Sequence, residues 1–166
     1  MAVLDPATLT WTAVPSTYKK DFNAEEGWTL MPNGTVLTFD VKNAPHAERY
    51  LPTKLKWVSA GSTIVDLHSP TDVVGCLQYP GGCYYPPGEV GPAILRPDGT
   101  VFATGSYSNN GAGPGHTSIF HPGRYLGSRG IWTVGPDFPN GDNAGDSWAA
   151  LLPNGNVLVA GNSGRL

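Results

Sequence analysis

Charge is the scarcest resource in this chain. Only 14% of the 166 residues are Asp, Glu, Lys or Arg, and the formal net charge is -3. Lys and Arg form no cluster, which excludes the basic face that a nucleic-acid partner requires. Cysteine is nearly missing too, with only Cys76 and Cys83 present. No second Cys pair or nearby His pair completes a four-ligand zinc set. There is no run of about 18 apolar residues, so no membrane-spanning helix is expected. The opening residues, Met1-Ala2-Val3-Leu4-Asp5-Pro6, hold neither a basic region nor a long apolar stretch. They do not read as a signal peptide.

What is abundant is glycine (22) and proline (16), which suit many short strands and turns. Five Trp, seven Tyr and five Phe supply a core that a disordered chain lacks. The length fits one domain, 1–166, with a real interior.

One turn recurs three times between apolar flanks. The copies are Leu30-Met31-Pro32-Asn33-Gly34-Thr35-Val36-Leu37, Leu95-Arg96-Pro97-Asp98-Gly99-Thr100-Val101-Phe102 and Leu151-Leu152-Pro153-Asn154-Gly155-Asn156-Val157-Leu158. Asn-Gly and Asp-Gly take positive φ readily, so each copy predicts a β-hairpin with a two-residue turn. A second element alternates with it. Leu4-Asp5-Pro6 precedes Trp11, Tyr50-Leu51-Pro52 precedes Trp57, and Phe120-His121-Pro122 precedes Trp132. Here a Pro-containing turn leads into a strand opened by Trp.

Calling the hairpin strands a and b, and the Trp element c and d, the chain runs c-d, a-b-c-d, a-b-c-d, a-b. The expected strands are 3–5 and 10–14, 27–31 and 35–41, 47–51 and 56–59, 92–96 and 100–105, 117–121 and 131–134, 148–152 and 156–161. Tandem four-stranded antiparallel sheets are the pattern of propeller blades, with a period of about 40–50 residues. Trp11 to Trp57 fits that period, and Trp57 to Trp132 contains insertions, the main one at about 60–91.

On these residues the chain resembles a family. Leu4-Asp5-Pro6-Ala7-Thr8-Leu9-Thr10-Trp11-Thr12 is similar to the c–d segment of a kelch repeat. Leu151 to Gly161 is similar to the a–b hairpin of bacterial kelch proteins and of the galactose-oxidase central domain. The resemblance implies an all-β fold of kelch-like β-propeller blades, about three per chain. The match departs from the family at the end of strand b. Two glycines are usual there, and Phe39-Asp40, Thr104-Gly105-Ser106 and Ala160-Gly161-Asn162 stand instead.

Three blades are too few for a ring, and an open sheet edge invites another chain. The terminal c-d and a-b pairs are complementary. One reading is a homodimer that completes a six-bladed ring; the other is a piece of a longer propeller.

In a meander the a–b and c–d loops leave one face, and the b–c and d–a loops leave the other. The a–b loops are all minimal, while the long connections lie around 15–26, 60–91, 106–116 and 135–147. Long loops on a rigid scaffold carry function, so the b–c/d–a face is the expected binding face. It offers Tyr79, Tyr84 and Tyr85 of the insertion and Tyr107 of the b–c segment, suited to stacking on a sugar or an apolar patch. The alternative is that the insertion's tyrosines cover its own small core.

Cys76 and Cys83 bracket a Tyr-Pro-Gly-Gly turn and are spaced for a small disulfide loop or stay as two thiols. Glu25 and its neighbour Glu26, with Glu89 and Asp146, sit where strands a begin, either as a ring at the channel mouth or as solvated acids. The stretch 137–146 is rich in oxygen ligands without EF-hand spacing, so Ca2+ is the only cofactor it suggests and no metal site is assigned. His46 and His116 each precede a Pro by six residues, a spacing that fits a repeated structural role. Trp11, Trp57 and Trp132, with Gly34, Gly99 and Gly155, are the structural repeat positions.

The resemblance also raises a copper-radical centre, whose cross-linking Cys stands at the start of a strand a. Gly27-Trp28, Gly91-Pro92 and Ser147-Trp148 occupy those starts, so that site is not carried over. No catalytic constellation is assignable, and the chain leans away from being an enzyme. The expected function is a non-enzymatic binding or assembly module that recognises a protein or glycan through the long-loop face. The alternative is a fragment or subunit of a diverged carbohydrate-active kelch enzyme of oxidase or mutarotase type. A Cys76–Cys83 bridge and the export common among bacterial kelch relatives favour an extracellular or periplasmic site over the interior.

Overall fold

A computed structural model describes residues 1–19, 26–69, 77–79, 82–84, 88–106, 115–126, 128–145 and 147–164. Its fourteen strands are all paired antiparallel. They are β1 (Ala2–Asp5), β2 (Thr10–Ala13), β3 (Thr29–Leu30), β4 (Val36–Phe39), β5 (His46–Leu51), β6 (Lys56–Ser62), β7 (Leu77–Tyr79), β8 (Gly82–Tyr84), β9 (Val90–Leu95), β10 (Val101–Gly105), β11 (Thr117–His121), β12 (Ile131–Val134), β13 (Ala149–Leu151) and β14 (Val157–Val159). Two four-stranded sheets, β3-β4-β5-β6 and β9-β10-β11-β12, follow chain order. The other six strands form three hairpins: β1-β2, β7-β8 and β13-β14.

The three Pro-Asn/Asp-Gly turns are built alike, but not as two-residue turns. Gly34 N–H donates to Met31 O at 2.9 Å, and Met31 N–H donates to Thr35 O at 2.8 Å. The same pair of bonds joins Arg96 with Gly99 and Thr100, and Leu152 with Gly155 and Asn156. Only the glycines have positive φ: 77° at Gly34, 82° at Gly99 and 86° at Gly155. Each loop is therefore a three-residue turn whose third residue takes the left-handed position. Proline decides between the two forms, because its fixed φ suits the first corner of an ordinary turn and not a mirror-image one. The preceding Asn or Asp closes the turn from its side chain. Asp98 Oδ1 accepts the Thr100 hydroxyl at 2.6 Å and its N–H at 3.0 Å, which holds the Asp98 carboxyl below the usual carboxylate range.

Packing between the two large sheets makes the core. It gathers Met31, Leu37, Phe39, Val41, Ala47, Ala60, Leu67, Val90, Val101, Ala103, Phe120 and Trp132. The Trp132 ring lies 4.9 Å from Phe120 and 6.0 Å from Phe39. A bulge in β6 opposite Ala47 and Glu48 turns the Ala60 carbonyl toward the second sheet, where it accepts the Trp132 indole N–H at 2.9 Å. Arg49 is also buried between the sheets and donates to Ser128 O, while its Nε and Nη1 have no partner. Burial lowers the pKa of its guanidinium. Strand β9 contacts both β3 and β13, and β6 contacts β12. The Thr29 hydroxyl bonds Ala93 O at 2.9 Å across the first of these contacts.

The Trp repeat keeps its register in all three copies. Leu4 pairs with Trp11, Tyr50 with Trp57 and Phe120 with Trp132. Its burial does not repeat, because Trp57 is 1% exposed, Trp132 4% and Trp11 69%. All eight residues of β1 and β2 are exposed.

Candidate functional site

The long connections and the strand ends beneath them build two groups of polar side chains. The first surrounds a cavity of about 570 Å3 against the first four-stranded sheet. Asp40 and Asn43 enter it from the β4–β5 connection, His46 from the start of β5, and Tyr18 from the segment after β2. Glu48, Trp57 and Ser59 line it from β5 and β6, and Arg129 reaches it from the β11–β12 connection. That last contribution comes from a c–d loop, so the lining is not confined to the long-loop face.

Asp40 is a scaffold for this wall. Its carboxylate accepts the Lys42 and Asn43 N–H groups at 3.2 Å and the Asn43 amide at 2.9 and 3.0 Å. His46 Nδ1 bonds Asn43 O at 2.6 Å, which turns the ring's other nitrogen away from the loop. Tyr18, at 66% exposure, stands at the rim, and Arg129 places Nη2 3.4 Å from the Ser59 hydroxyl. Behind the wall, Lys19 Nζ lies 2.9 Å from Glu48 and 3.2 Å from Glu26, with all three side chains buried. Lys19 also sits 5.2 Å over the Trp57 ring. Glu26 accepts the Trp28 indole N–H at 3.0 Å and the Thr38 hydroxyl at 2.8 Å. The expectation that Glu26 is a solvated or channel-rim acid is therefore corrected. A lysine from the β2–β3 connection draws it under the surface, and the fixed ion pairs offset its desolvation.

The second group lies where Leu67 and His116 flank the end of β10. Ser106 N–H donates to Leu67 O at 3.0 Å, and Gly105 N–H to His116 O at 2.8 Å. A side chain at Gly105 would come within 2.9 Å of His116 O and 3.1 Å of Leu67 Cα, so only glycine allows this approach. Around it stand two acid–imidazole pairs, Asp66 Oδ1 with His68 Nδ1 at 2.9 Å and Asp137 Oδ1 with His116 Nδ1 at 2.8 Å. Each carboxylate accepts the Nδ1 proton and leaves Nε2 as the basic nitrogen. His68 Nε2 is buried with no partner. Burial pushes the Asp66 carboxyl up. The side-chain and backbone hydrogen bonds from His68 outweigh that, helped by the charges of His68 and His116, and hold it below the ordinary value.

Glu89 lies in this second group. Ser69 and Glu89 exchange two bonds at 2.8 Å, and the Ser106 hydroxyl approaches Glu89 Oε1 at 3.3 Å. It is partly buried and anchored rather than freely solvated. Glu25, Asp146, Tyr85, Tyr107 and Cys76 lie outside the described residues. Tyr79, Tyr84 and Cys83 fall in the β7–β8 hairpin, where the backbone pairing Gln78–Cys83 and Leu77–Tyr84 is described and the side chains are not. The Cys76–Cys83 bridge thus lies outside the described residues as well. Of the two repeated histidines, His46 bonds the Asn43 carbonyl three residues before it, and His116 bonds the Asp137 carboxylate from another connection.

Sequence reading missed Tyr18, Asp40, Asn43, Glu48, Ser59 and Arg129, and the Asp66–His68 pair. For Asp66 a local signal existed. An Asp two residues before a His can accept both its N–H and its ring proton, as it does here at 3.0 and 2.9 Å. Arg129 had no such signal, since its place depends on how two sheets pack. Among the described residues no group of three or more His, Cys, Asp or Glu is arranged to hold a metal. Asp142, in the oxygen-rich stretch, spends its carboxylate on Asn143 and Ser163. No helix among the described residues is long and apolar enough to cross a membrane. No protein-family model matches this chain, and no match is found among curated proteins.

Proposed function

We propose that the chain is a kelch-like β-propeller unit of about three blades that acts as a non-enzymatic recognition module for a glycan or a protein surface. The observation that carries this reading is the cavity lined by Tyr18, Asn43, His46, Ser59 and Arg129. Its lining offers hydroxyl, amide, imidazole and guanidinium groups with an aromatic ring at the rim. That combination suits a hydroxyl-rich ligand, whose C–H faces stack on rings while its hydroxyls trade hydrogen bonds. A glycan is favoured over a protein surface for that reason. The fixed Asp40 loop and the buried Lys19 network preorganise the walls, which limits the ordering cost of binding.

A glycan array followed by calorimetry on the hits tests the reading. Arg129→Ala and Tyr18→Ala are expected to weaken a bound saccharide by roughly tenfold or more, about 1.4 kcal/mol each. An array without hits, or hits indifferent to both substitutions, sinks it.

A second reading, a subunit of a diverged carbohydrate-active enzyme, draws on the Asp66–His68 and Asp137–His116 pairs, which hold basic nitrogens in place. Sugar epimerisation or oxidation that disappears in His68→Gln would favour it over simple binding.

A further inference from the structure

Neighbouring side chains of a strand point to opposite faces, so Glu48 of β5 lines the cavity while Arg49 points into the space between the two large sheets. Arg49 is 0% exposed and has no carboxylate partner among the described residues. Its Nη2 donates to Ser128 O, and its Nε and Nη1 are buried without a partner. Burial on these terms is unfavourable, since the unmet donors and the unpaired charge all lose their hydration. An apolar side chain of similar volume fills such a place as well or better. Packing therefore does not account for an arginine here. What it does that an apolar residue cannot is grip the Ser128 carbonyl.

That carbonyl belongs to the peptide unit that leads into Arg129. A peptide unit is planar, so fixing Ser128 O fixes the plane that carries the Arg129 N–H and Cα. The chain before it is folded back on itself, because the Ser128 N–H and hydroxyl both donate to Tyr125 O, at 3.0 and 2.6 Å. The chain after it is held by Gly130, which has a φ of 77° and lies so close to Phe120 that a Cβ would come within 2.4 Å of the ring. Arg129 thus leaves from a backbone clamped on both sides. Its Cγ passes 4.0 Å from where a Cβ on Gly61 would stand. Its Nη2 reaches the Ser59 hydroxyl, which also accepts the Gly61 N–H at 3.1 Å.

We propose that Arg49 is a positioning residue for the cavity: from the far face of β5 it holds the β11–β12 connection against the first sheet, so that Arg129 starts from one place and its exposed guanidinium reaches the ligand. The proposal rests on the reading of the cavity as a glycan site, in which Arg129 touches the ligand and Arg49 does not. The two arginines act in series. A charged donor binds a carbonyl more strongly than a neutral one, which suits a contact spanning 79 positions to a connection outside the sheet's own ladder.

Arg49→Met tests this. The variant is expected to keep the parent's urea midpoint or exceed it. Backbone 15N order parameters at Ser128, Arg129 and Gly130 are expected to fall from about 0.85, the rigid range, toward about 0.6. Affinity for a saccharide found on the array is expected to drop by roughly tenfold, as for Arg129→Ala. Arg49→Met combined with Arg129→Ala is expected to bind no more weakly than Arg129→Ala alone, because nothing is left to position. Arg49→Gln, neutral and shorter, is expected to show the same loosening, and it replaces Arg49→Met if that variant does not fold. Unchanged order parameters overturn the proposal, and so does an affinity that stays at the parent value. An affinity loss that adds in full to that of Arg129→Ala also overturns it, since a merely structural role has that signature. An empty array defeats the glycan reading alone, and the order parameters then still decide whether Arg49 holds Arg129.

Discussion

Single residues in this protein are constrained more by their neighbours' hydrogen bonds than by exposure. Asp66 is the clearest case, since most of its side chain is open to solvent yet its carboxyl titrates low. Its ordinary value is 3.8, and the folded value lies below that. The stabilising contribution is therefore complete above the ordinary value and disappears as pH falls through the folded one. Asp66→Asn is expected to be less stable than the parent at neutral pH, with the gap closing in acid below about pH 4. Unfolding midpoints in urea across that range check the sign, and a gap constant with pH would refute it. The hairpin glycines show the converse economy. A Cβ on Gly34 or Gly99 meets nothing within 4 Å, so glycine is needed there for its left-handed φ and not for room.

Elements repeat in sequence here, but their energetic weight does not. Trp132 and Trp11 occupy equivalent positions opposite Phe120 and Leu4. One closes the core between two sheets; the other stands in solvent at 69% exposure. Trp132→Ala is expected to cost roughly 3–5 kcal/mol, the usual loss for emptying a buried aromatic site. Trp11→Ala should stay within about 0.5 kcal/mol, as surface changes do. Denaturant melts of both variants decide it, and similar losses would mean that β1–β2 is packed. Strands β11 and β12 end where their residues predict, because β-branched and aromatic residues bounded by proline and glycine settle them locally. Strand β6 runs on to Ser62 instead of stopping at 59, since the bulge at Ala60 lets it bend and keep pairing with β5. Of the β7–β8 hairpin the sequence shows only a Tyr-Pro-Gly-Gly turn. The flanking runs are three residues each, too short for a period to be visible.

At the scale of the whole molecule, stability is concentrated in two sheets and thin at both outer hairpins. Leu37, Phe39, Ala47, Val101, Ala103 and Phe120 are at most 1% exposed, while β1 and β2 have no buried residue. Amide hydrogen exchange should divide the chain accordingly. Amides of β4, β5, β10 and β11 should exchange by global unfolding, and those of β1 and β14 by fraying. Uniform protection across all strands would contradict this. The candidate site follows the same division. Its walls come from β5, β6 and the anchored β4–β5 connection, and its adaptable groups, Tyr18 and Arg129, come from other connections between elements.

The sequence by itself determined the Pro-Asn/Asp-Gly hairpins and the Trp-led pairs, their order and the phase of the repeat. Pro-Asn/Asp-Gly turns and Trp-led strands act over a few residues, and their chemistry is legible without any fold. Tertiary structure alone decided which Trp is buried, which acids are anchored and where Arg129 meets Ser59. Those outcomes depend on groups far apart in the chain, such as the Trp132 indole and the Ala60 carbonyl 72 positions before it, that meet only when sheets stack. Burial is a property of the neighbour a residue finds, and no local pattern records it.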